Sequence, residues 1–377
     1  MELKKYKFKD ICLDKGFVRG PFGSALKKSL FVPKTSDTYK VYEQCVPLEQ
    51  DKTKGNYYIS RKYFEKSLKR FEVKNNDFLV SCSGVNYGAI YHLQEPFEKG
   101  VINQALLIIR INNRIVDYNY FKYLFRLVLS KAITSGTGDS TIPNFPSIDV
   151  IKDIDVFLPT LSLQKKIGNF LNSIDEKMRK NNEINDNLAA MAYDIYMHSF
   201  FSKKPNAKLK DILIEADKSS VQVGEAKQST GEYPFFTSGS AILKWDTPFI
   251  DGRNCFLNTG GNADVKFYVG AAAYSTDTWC ISANNNMSDY LYLLLVSIKP
   301  ELNQKFFQGT GLKHLQKPLL KDRPIYIPDF EELKTFNEQV NPMLNIISEN
   351  TRENQELITL RDWLLPMLMN GQATISD

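Results

Sequence analysis

Side chains able to read or grip a nucleic acid recur in short glycine-bearing stretches of this chain. "GFVRGPFGSALKK" (Gly16 to Lys28) sets Arg19, Ser24, Lys27 and Lys28 around a turn. "SCSGVNYG" (Ser81 to Gly88) offers Ser83, Asn86 and Tyr87, and "SGTGDSTIPNF" (Ser135 to Phe145) offers Thr137 and Thr141. Further on, "TSGSAILKW" (Thr237 to Trp245) carries Ser238 and Lys244, and "NTGGNADVK" (Asn258 to Lys266) carries Asn262 and Lys266. "GTGLKHLQK" (Gly309 to Lys317) adds Thr310, Lys313 and Gln316. Arginine and lysine match the edge of guanine, asparagine and glutamine that of adenine, and hydroxyls and turn amides anchor phosphate. Any one such loop is ordinary; the set favours duplex DNA as the target.

The chemistry of catalysis is missing. "IPNF" (Ile142 to Phe145) has one proline in the wrong slot for the adenine-holding turn of a DNA methyltransferase. Glu332 and Lys334 form an ExK pair, but in the first turn of a predicted helix rather than on a nuclease strand. No phosphate-binding GxxxxGK[ST] occurs, and "GTGDST" lacks the third glycine of a dinucleotide loop. The histidines, His92, His198 and His314, stand far apart and read as satisfied or exposed side chains. The cysteines, Cys12, Cys45, Cys82, Cys255 and Cys280, are odd in number and form no CxxC. That argues against a disulfide framework or a zinc site and suits a reducing cytoplasm. No apolar run approaches the ~18 residues needed to cross a membrane.

Charge is uneven along the 377 residues. Residues 1–70 hold 17 Lys and Arg against 8 Asp and Glu, whereas residues 331–377 hold 3 against 8. The net charge of +5 therefore concentrates near the beginning, where a basic surface is compatible with phosphate contact.

What positions these loops is a module present twice. "KFKDI" (Lys7 to Ile11) recurs as "KLKDI" (Lys208 to Ile212). "FLVSCSGVN" (Phe78 to Asn86) resembles "CFLNTGGNA" (Cys255 to Ala263), an apolar strand entering a small turn. "YNYFKYL" (Tyr118 to Leu124) matches "SDYLYLL" (Ser288 to Leu294), a short amphipathic helix. A GTG follows in each copy, then a proline step at Pro159 and Pro328. The order is kept throughout.

After each proline the sequence predicts one long helix, over 160–200 and 329–369, at a constant offset of 169. Heptad-like positions carry Ile167, Leu171, Ile174, Met178, Asn181, Asn185, Leu188, Ala192 and Ile195 in the first helix. In the second they carry Phe336, Val340, Met343, Ile347, Asn350, Asn354, Leu357, Arg361 and Leu364. Asp329 and Glu332 form a candidate capping box, with Asn370-Gly371 as a stop. Two amphipathic helices packed separately on their own domains would give similar stripes. The paired asparagines instead favour a coiled-coil seam, where such residues fix register. An antiparallel pair would set Asn181 near Asn354 and Asn185 near Asn350.

The whole chain resembles a specificity subunit of a type I restriction–modification system. The resemblance is strongest in "LPTLSLQKKIGNFLNSIDEKMRKNNEINDNL" (Leu158 to Leu188), in "LRDWLLPMLMNGQ" (Leu360 to Gln372) and in "RGPFGSAL" (Arg19 to Leu26). Thr160 replaces the family's second proline, Leu163 a usual glutamate, and "IPDFEEL" lacks the glutamine. The resemblance implies an α+β chain of two pseudo-repeated target-recognition domains, residues 1–158 and 203–327. The helical spacers 159–202 and 328–377 would form an antiparallel coiled coil. It also implies two methyltransferase subunits docked on the helices and a motor nuclease subunit. S-adenosylmethionine, ATP and Mg belong to those partners, no cofactor to this chain, and the setting is cytoplasmic. About 40 helical residues at 1.5 Å each span ~60 Å, enough to separate two halves of a bipartite site by well over one DNA turn.

Residues 12–77 and 213–253 share neither sequence, length nor charge, so the two half-sites should differ. Other readings remain: the targeting subunit of a modification-only or other phage-defence complex, a self-sufficient methyltransferase or nuclease, or a purely structural coiled-coil dimeriser. The missing motifs disfavour the enzyme, and the large non-helical share disfavours the dimeriser.

Overall fold

The computed structural model describes residues 2–84, 86–135 and 145–375. The chain forms two compact units. The first holds the chain up to Asp175 and again from Thr359, and the second is Glu176–Ile358. Both unit boundaries fall inside long helices.

In the first unit the strands are β1 (Lys4–Lys7), β2 (Cys12–Arg19), β3 (Thr38–Tyr42), β4 (Tyr58–Ser60), β5 (Phe78–Ser81), β6 (Ile90–His92), β7 (Gly100–Ile102), β8 (Leu106–Ile111) and β9 (Asp155–Leu158). An antiparallel sheet runs β2-β8-β5-β6, and a smaller one runs β4-β3-β7 with β3 and β7 parallel. The residue pattern of β8, "LLIIRI", explains its central place: apolar side chains fill both faces. Leu107, Ile109 and Ile111 join Phe78, Val80 and the module helix Tyr118–Ser135 in one core. Leu106 and Ile108 point the other way, onto Tyr42 and Ile102 of the smaller sheet.

The second unit repeats this plan. Its strands are β10 (Ala207–Lys208), β11 (Leu213–Glu215), β12 (Tyr233–Phe236), β13 (Ile242–Trp245), β14 (Arg253–Asn258), β15 (Val265–Val269), β16 (Ala273–Tyr274), β17 (Thr278–Ala283), β18 (Phe307–Gln308), β19 (His314–Leu315) and β20 (Pro324–Ile325). The larger sheet is β11-β17-β14-β15 and the smaller β13-β12-β16, again with one parallel pair. Cys255, Leu257, Trp279 and Ile281 face the helix Ser288–Ser297, while Phe256 and Cys280 face Phe236 and Tyr274. The dissimilar stretches 12–77 and 213–253 thus fold with the same strand order. They differ in what joins the strands: 43–57 between β3 and β4 corresponds to 237–241 between β12 and β13, and 61–77 corresponds to 246–252.

Each module also closes on itself. β1 pairs with β9, Lys4 opposite Leu158, and β10 pairs with β20, Ala207 opposite Ile325.

The two predicted helices are Leu161–Phe200 and Phe330–Met369, 40 residues each. Asp329 caps the second: its carboxylate accepts the Glu332 N–H at 2.9 Å, and Glu332 accepts the Asp329 N–H at 3.2 Å. That carboxylate of Glu332 also accepts the Tyr326 hydroxyl at 2.5 Å and pairs with Lys203 at 2.9 Å, so the ExK pattern is a helix cap. At the far end Gly371 adopts φ +75°, and the Gln372 N–H returns to the Met367 carbonyl at 2.8 Å. At the start of the first helix the buried Gln164 accepts the Asp117 N–H at 3.0 Å and donates to the carbonyls of Ile115 and Pro159. Leu333, at the same place in the second copy, sits in the core instead.

In the second unit the helices pair antiparallel. Asn181 donates to Asn354 at 3.0 Å, Asn350 donates to Asn185 at 2.8 Å, and the rings of Phe200 and Phe336 lie 5.1 Å apart. The heptad stripe is not the whole buried face. Leu344, Ser348, Tyr196 and Phe200 are buried although they lie off it. Ser348 accepts the Val269 N–H of the sheet at 2.9 Å, and Arg253 of β14 donates to Asn345 at 2.7 Å. The helices therefore pair with each other and also pack on their module. In the first unit Ile167 and Leu171 share a core with Leu365, Leu368 and Met369. There Asp175 gathers Lys122 at 2.7 Å, the Tyr123 hydroxyl at 2.8 Å and Arg361 at 2.9 Å. Among the described residues, no helix is long and apolar enough to cross a membrane.

Candidate nucleic-acid interface

Among the described residues, the loops after β2 and β5 in the first unit, and those of 237–241 and 258–264 in the second, gather at one end of the larger sheet. In the first unit β2 ends at Arg19 opposite Leu107, and β5 ends at Ser81 opposite Leu106. The turn after β2 is fixed by the Gly20 N–H, which donates to the Leu106 carbonyl at 2.9 Å. A Cβ at Gly20 would lie 1.8 Å from the Asn103 carbonyl oxygen, so no other residue fits this close approach. The turn after β5 is held by Gln44. Its amide donates to the Ser83 carbonyl at 2.7 Å, to the Ser83 hydroxyl at 2.9 Å and to the Ser81 hydroxyl at 3.0 Å. Burial pushes the Cys82 thiol up to about 12, with Arg19 the opposing influence, and Arg19 and Val80 flank the same residue, Leu107, on the two sides of β8. Arg19, Ser24, Lys27, Lys28, Ser83 and Asn86 are exposed. Tyr87 is half-buried, edge-on to Phe145 at 6.2 Å. Thr137, Thr141 and the first GTG lie outside the described residues.

In the second unit β14 ends at Asn258 opposite Thr278. Nearly buried Asn258 organises the following loop, donating to the carbonyls of Gly260 and Asn262 at 2.6 Å each and accepting the Asp264 N–H at 2.7 Å. The second GTG is the tip of the β18–β19 hairpin. Gly309 adopts φ +149°, and a Cβ there would lie 2.6 Å from the Leu312 carbonyl oxygen. This hairpin is stitched to the Asn258 loop: the Gly261 N–H donates to the Lys313 carbonyl, and the Leu315 N–H to the Thr259 carbonyl, both at 2.9 Å. Thr310, Lys313 and Asn262 stand exposed on the joined loops, with Ser238 half-buried.

Three residues expected to meet DNA are placed differently. The ammonium of Lys266 turns inward, donating to the Thr237 carbonyl at 2.8 Å and to the Gly239 carbonyl. Burial lowers its pKa, against the pull of Asp264 at 3.6 Å. Lys266 therefore staples the 237–241 loop to the Asn258 loop. Gln316 donates to the His314 carbonyl at 3.2 Å and opens a short helix. Lys244 lies within β13, opposite Pro234 of β12, rather than on a loop.

Gln44 and Asn258 hold the loops, and neither was expected from the sequence. Each acts on residues already noted, but only the fold brings Gln44 to a turn 39 positions away. His92 is sandwiched between Phe78 at 4.6 Å and Tyr118 at 4.9 Å, and burial pushes its pKa down to about 4, so it is a neutral structural group. Among the described residues no three His, Cys, Asp or Glu side chains group so as to hold a metal.

The sequence model of the type I restriction modification DNA specificity domain matches twice, at residues 23–190 and 203–358. The chain is 22% identical over 373 residues to the type I restriction enzyme MjaVIII specificity subunit of Methanocaldococcus jannaschii, covering 85% of this chain and 84% of that one. It is 23% identical over 154 residues to the EcoDI specificity subunit of Escherichia coli, covering 40% and 34%. In fold it is similar to the crystal structure of the type I restriction-modification S subunit from M. genitalium, with a TM-score of 0.59 at 15% identity, covering 97% and 96%. With two family domains, one in each half, and a loop-bearing sheet end in each unit, this chain belongs to the type I restriction–modification DNA specificity family.

Proposed function

We propose that each module reads one half of a split, asymmetric duplex DNA site through the loops at the end of its larger sheet. The observation that carries this is the repeated strand order with unlike loops: the same framework presents Arg19, Ser83 and Asn86 in one unit and Asn262, Thr310 and Lys313 in the other. Framework identity supports a shared docking mode, and loop difference supports different bases. The long helices serve as spacer and as the docking surface for two methyltransferase subunits, with a motor nuclease subunit joining for cleavage. The chain itself performs no catalysis. S-adenosylmethionine, ATP and Mg are held by the partners, and the assembly works in the cytoplasm. Genome-wide mapping of methylated adenines with and without the gene tests this. The expected result is loss of one split, non-palindromic motif with a fixed gap. An unchanged methylome, or a palindromic motif, overturns it.

A further inference from the structure

Phe22 is 89% exposed, the most of any large apolar side chain among the described residues. It does not lie on a loose segment. On one side of it Gly20 is bonded to Leu106 and Pro21 is buried. On the other side the Phe22 carbonyl accepts the Ala25 N–H at 2.8 Å, and the Ala25 carbonyl accepts the Tyr63 hydroxyl at 3.0 Å. Leu26 then enters a core with Val41, Ile59 and Phe64. The backbone at Phe22 is unstrained, φ −59° and ψ 145°. The turn thus anchors its other apolar groups and leaves one aromatic ring in water. A Cβ at the next residue, Gly23, would also meet nothing within 4 Å, so the turn faces open space there too.

The surroundings indicate what covers it. From Lys15 to Lys34 the chain carries Lys15, Arg19, Lys27, Lys28 and Lys34 and no acid. Lys34 is engaged by Glu98, but among the described residues Lys27 and Lys28 have no acidic partner. A flat apolar ring on a rigid turn among free cations suits a polyanion with stacked apolar faces. Apolar side chains inserted at base steps unstack and bend duplex DNA, and base–aromatic contact is sequence-tolerant.

We propose that Phe22 is a wedge that enters a base step of the half-site bound by the first module and partly unstacks it. This rests on the reading that the module binds duplex DNA. The test uses the full chain together with any subunits that co-purify. A random duplex pool is enriched on the wild-type protein, and the selected duplex is then labelled with 2-aminopurine at successive positions. Fluorescence should rise at one step within a half-site. Phe22→Ala should abolish that rise and weaken binding by about 5- to 100-fold, Phe22→Trp should restore both, and all three should melt alike. Equal binding and equal fluorescence in Phe22→Ala overturn the wedge alone. Unchanged DNA binding with loss of a co-purifying subunit assigns the ring to a protein contact and also overturns it. Failure of the wild-type protein to enrich any duplex overturns the module's reading and the wedge with it.

Discussion

Asn181 of the first long helix donates its side-chain amide to Asn354 of the second at 3.0 Å and also to Glu353 at 2.7 Å. Asn354 in turn donates to Asn182 at 2.8 Å. With the neighbouring Asn350–Asn185 pair, the Asn181–Asn354 pair makes two polar layers in a largely apolar helix seam, whose main effect is on register rather than stability. Asn181→Leu leaves Asn354 and Glu353 short of a donor and should destabilise the second unit by about 1–3 kcal/mol. Asn181→Leu with Asn354→Leu should recover most of that loss. Guanidinium unfolding followed by circular dichroism checks both, and an additive double variant would contradict the coupling.

Asp175 gives a pH dependence with a definite sign. Burial disfavours its ionised form, but Lys122, Arg361 and Tyr123 more than offset this and hold its pKa at about 2. An unfolded aspartate titrates near 3.9. The stabilisation is therefore full above pH ~5 and is lost as the pH falls through 4 toward 2, amounting to about 2–3 kcal/mol. Asp175→Asn should remove this acid-side slope from the thermal melting profile and lower Tm at pH 7. A variant with the wild-type acid profile would exclude Asp175 as its source.

Gln164 and Leu333 occupy the same place in the two copies and are not interchangeable. Gln164→Leu strands the Asp117 N–H and the carbonyls of Ile115 and Pro159, with an expected loss of about 2–5 kcal/mol. Leu333→Gln buries an amide in an apolar core and should destabilise its own unit by a comparable amount. Chemical denaturation of each variant measures this.

Arg19, Lys27 and Lys28 are exposed, so alanine at each should leave unfolding within about 0.5 kcal/mol of wild type. Each cation that touches phosphate should, on removal, weaken DNA binding and reduce the slope of log affinity against log salt by about 1. Fluorescence anisotropy across a salt series separates phosphate contacts from the rest. Lys266→Ala should behave oppositely, lowering stability by releasing the 237–241 loop.

Local periodicity made the helices legible: both long helices, the asparagine layer and the Asp329–Glu332 cap depend on spacings of three and four within one element. The repeat was legible because strand and turn residues recur in order. What stayed hidden was set by distant partners. Nothing in "KSSVQV" or "TSDTYK" reveals that 12–77 and 213–253 share a strand order, since pairing is decided by sheet neighbours far along the chain. The site residues were chosen by side-chain chemistry, which identifies capable loops but not which cations face outward. Lys313 does so, while Lys266 is consumed by carbonyls that only the folded loop brings near.

The clasp strands have a consequence of their own. Because Lys4 lies opposite Leu158 and Ala207 opposite Ile325, the polypeptide enters and leaves each module through a single doorway. Everything between the two doorposts is a closed excursion. Chain can be added inside it, as in the longer 43–57 and 61–77 connections of the first copy, without moving the point where the long helix departs. The reading head can thus be rewritten while the mount stays fixed.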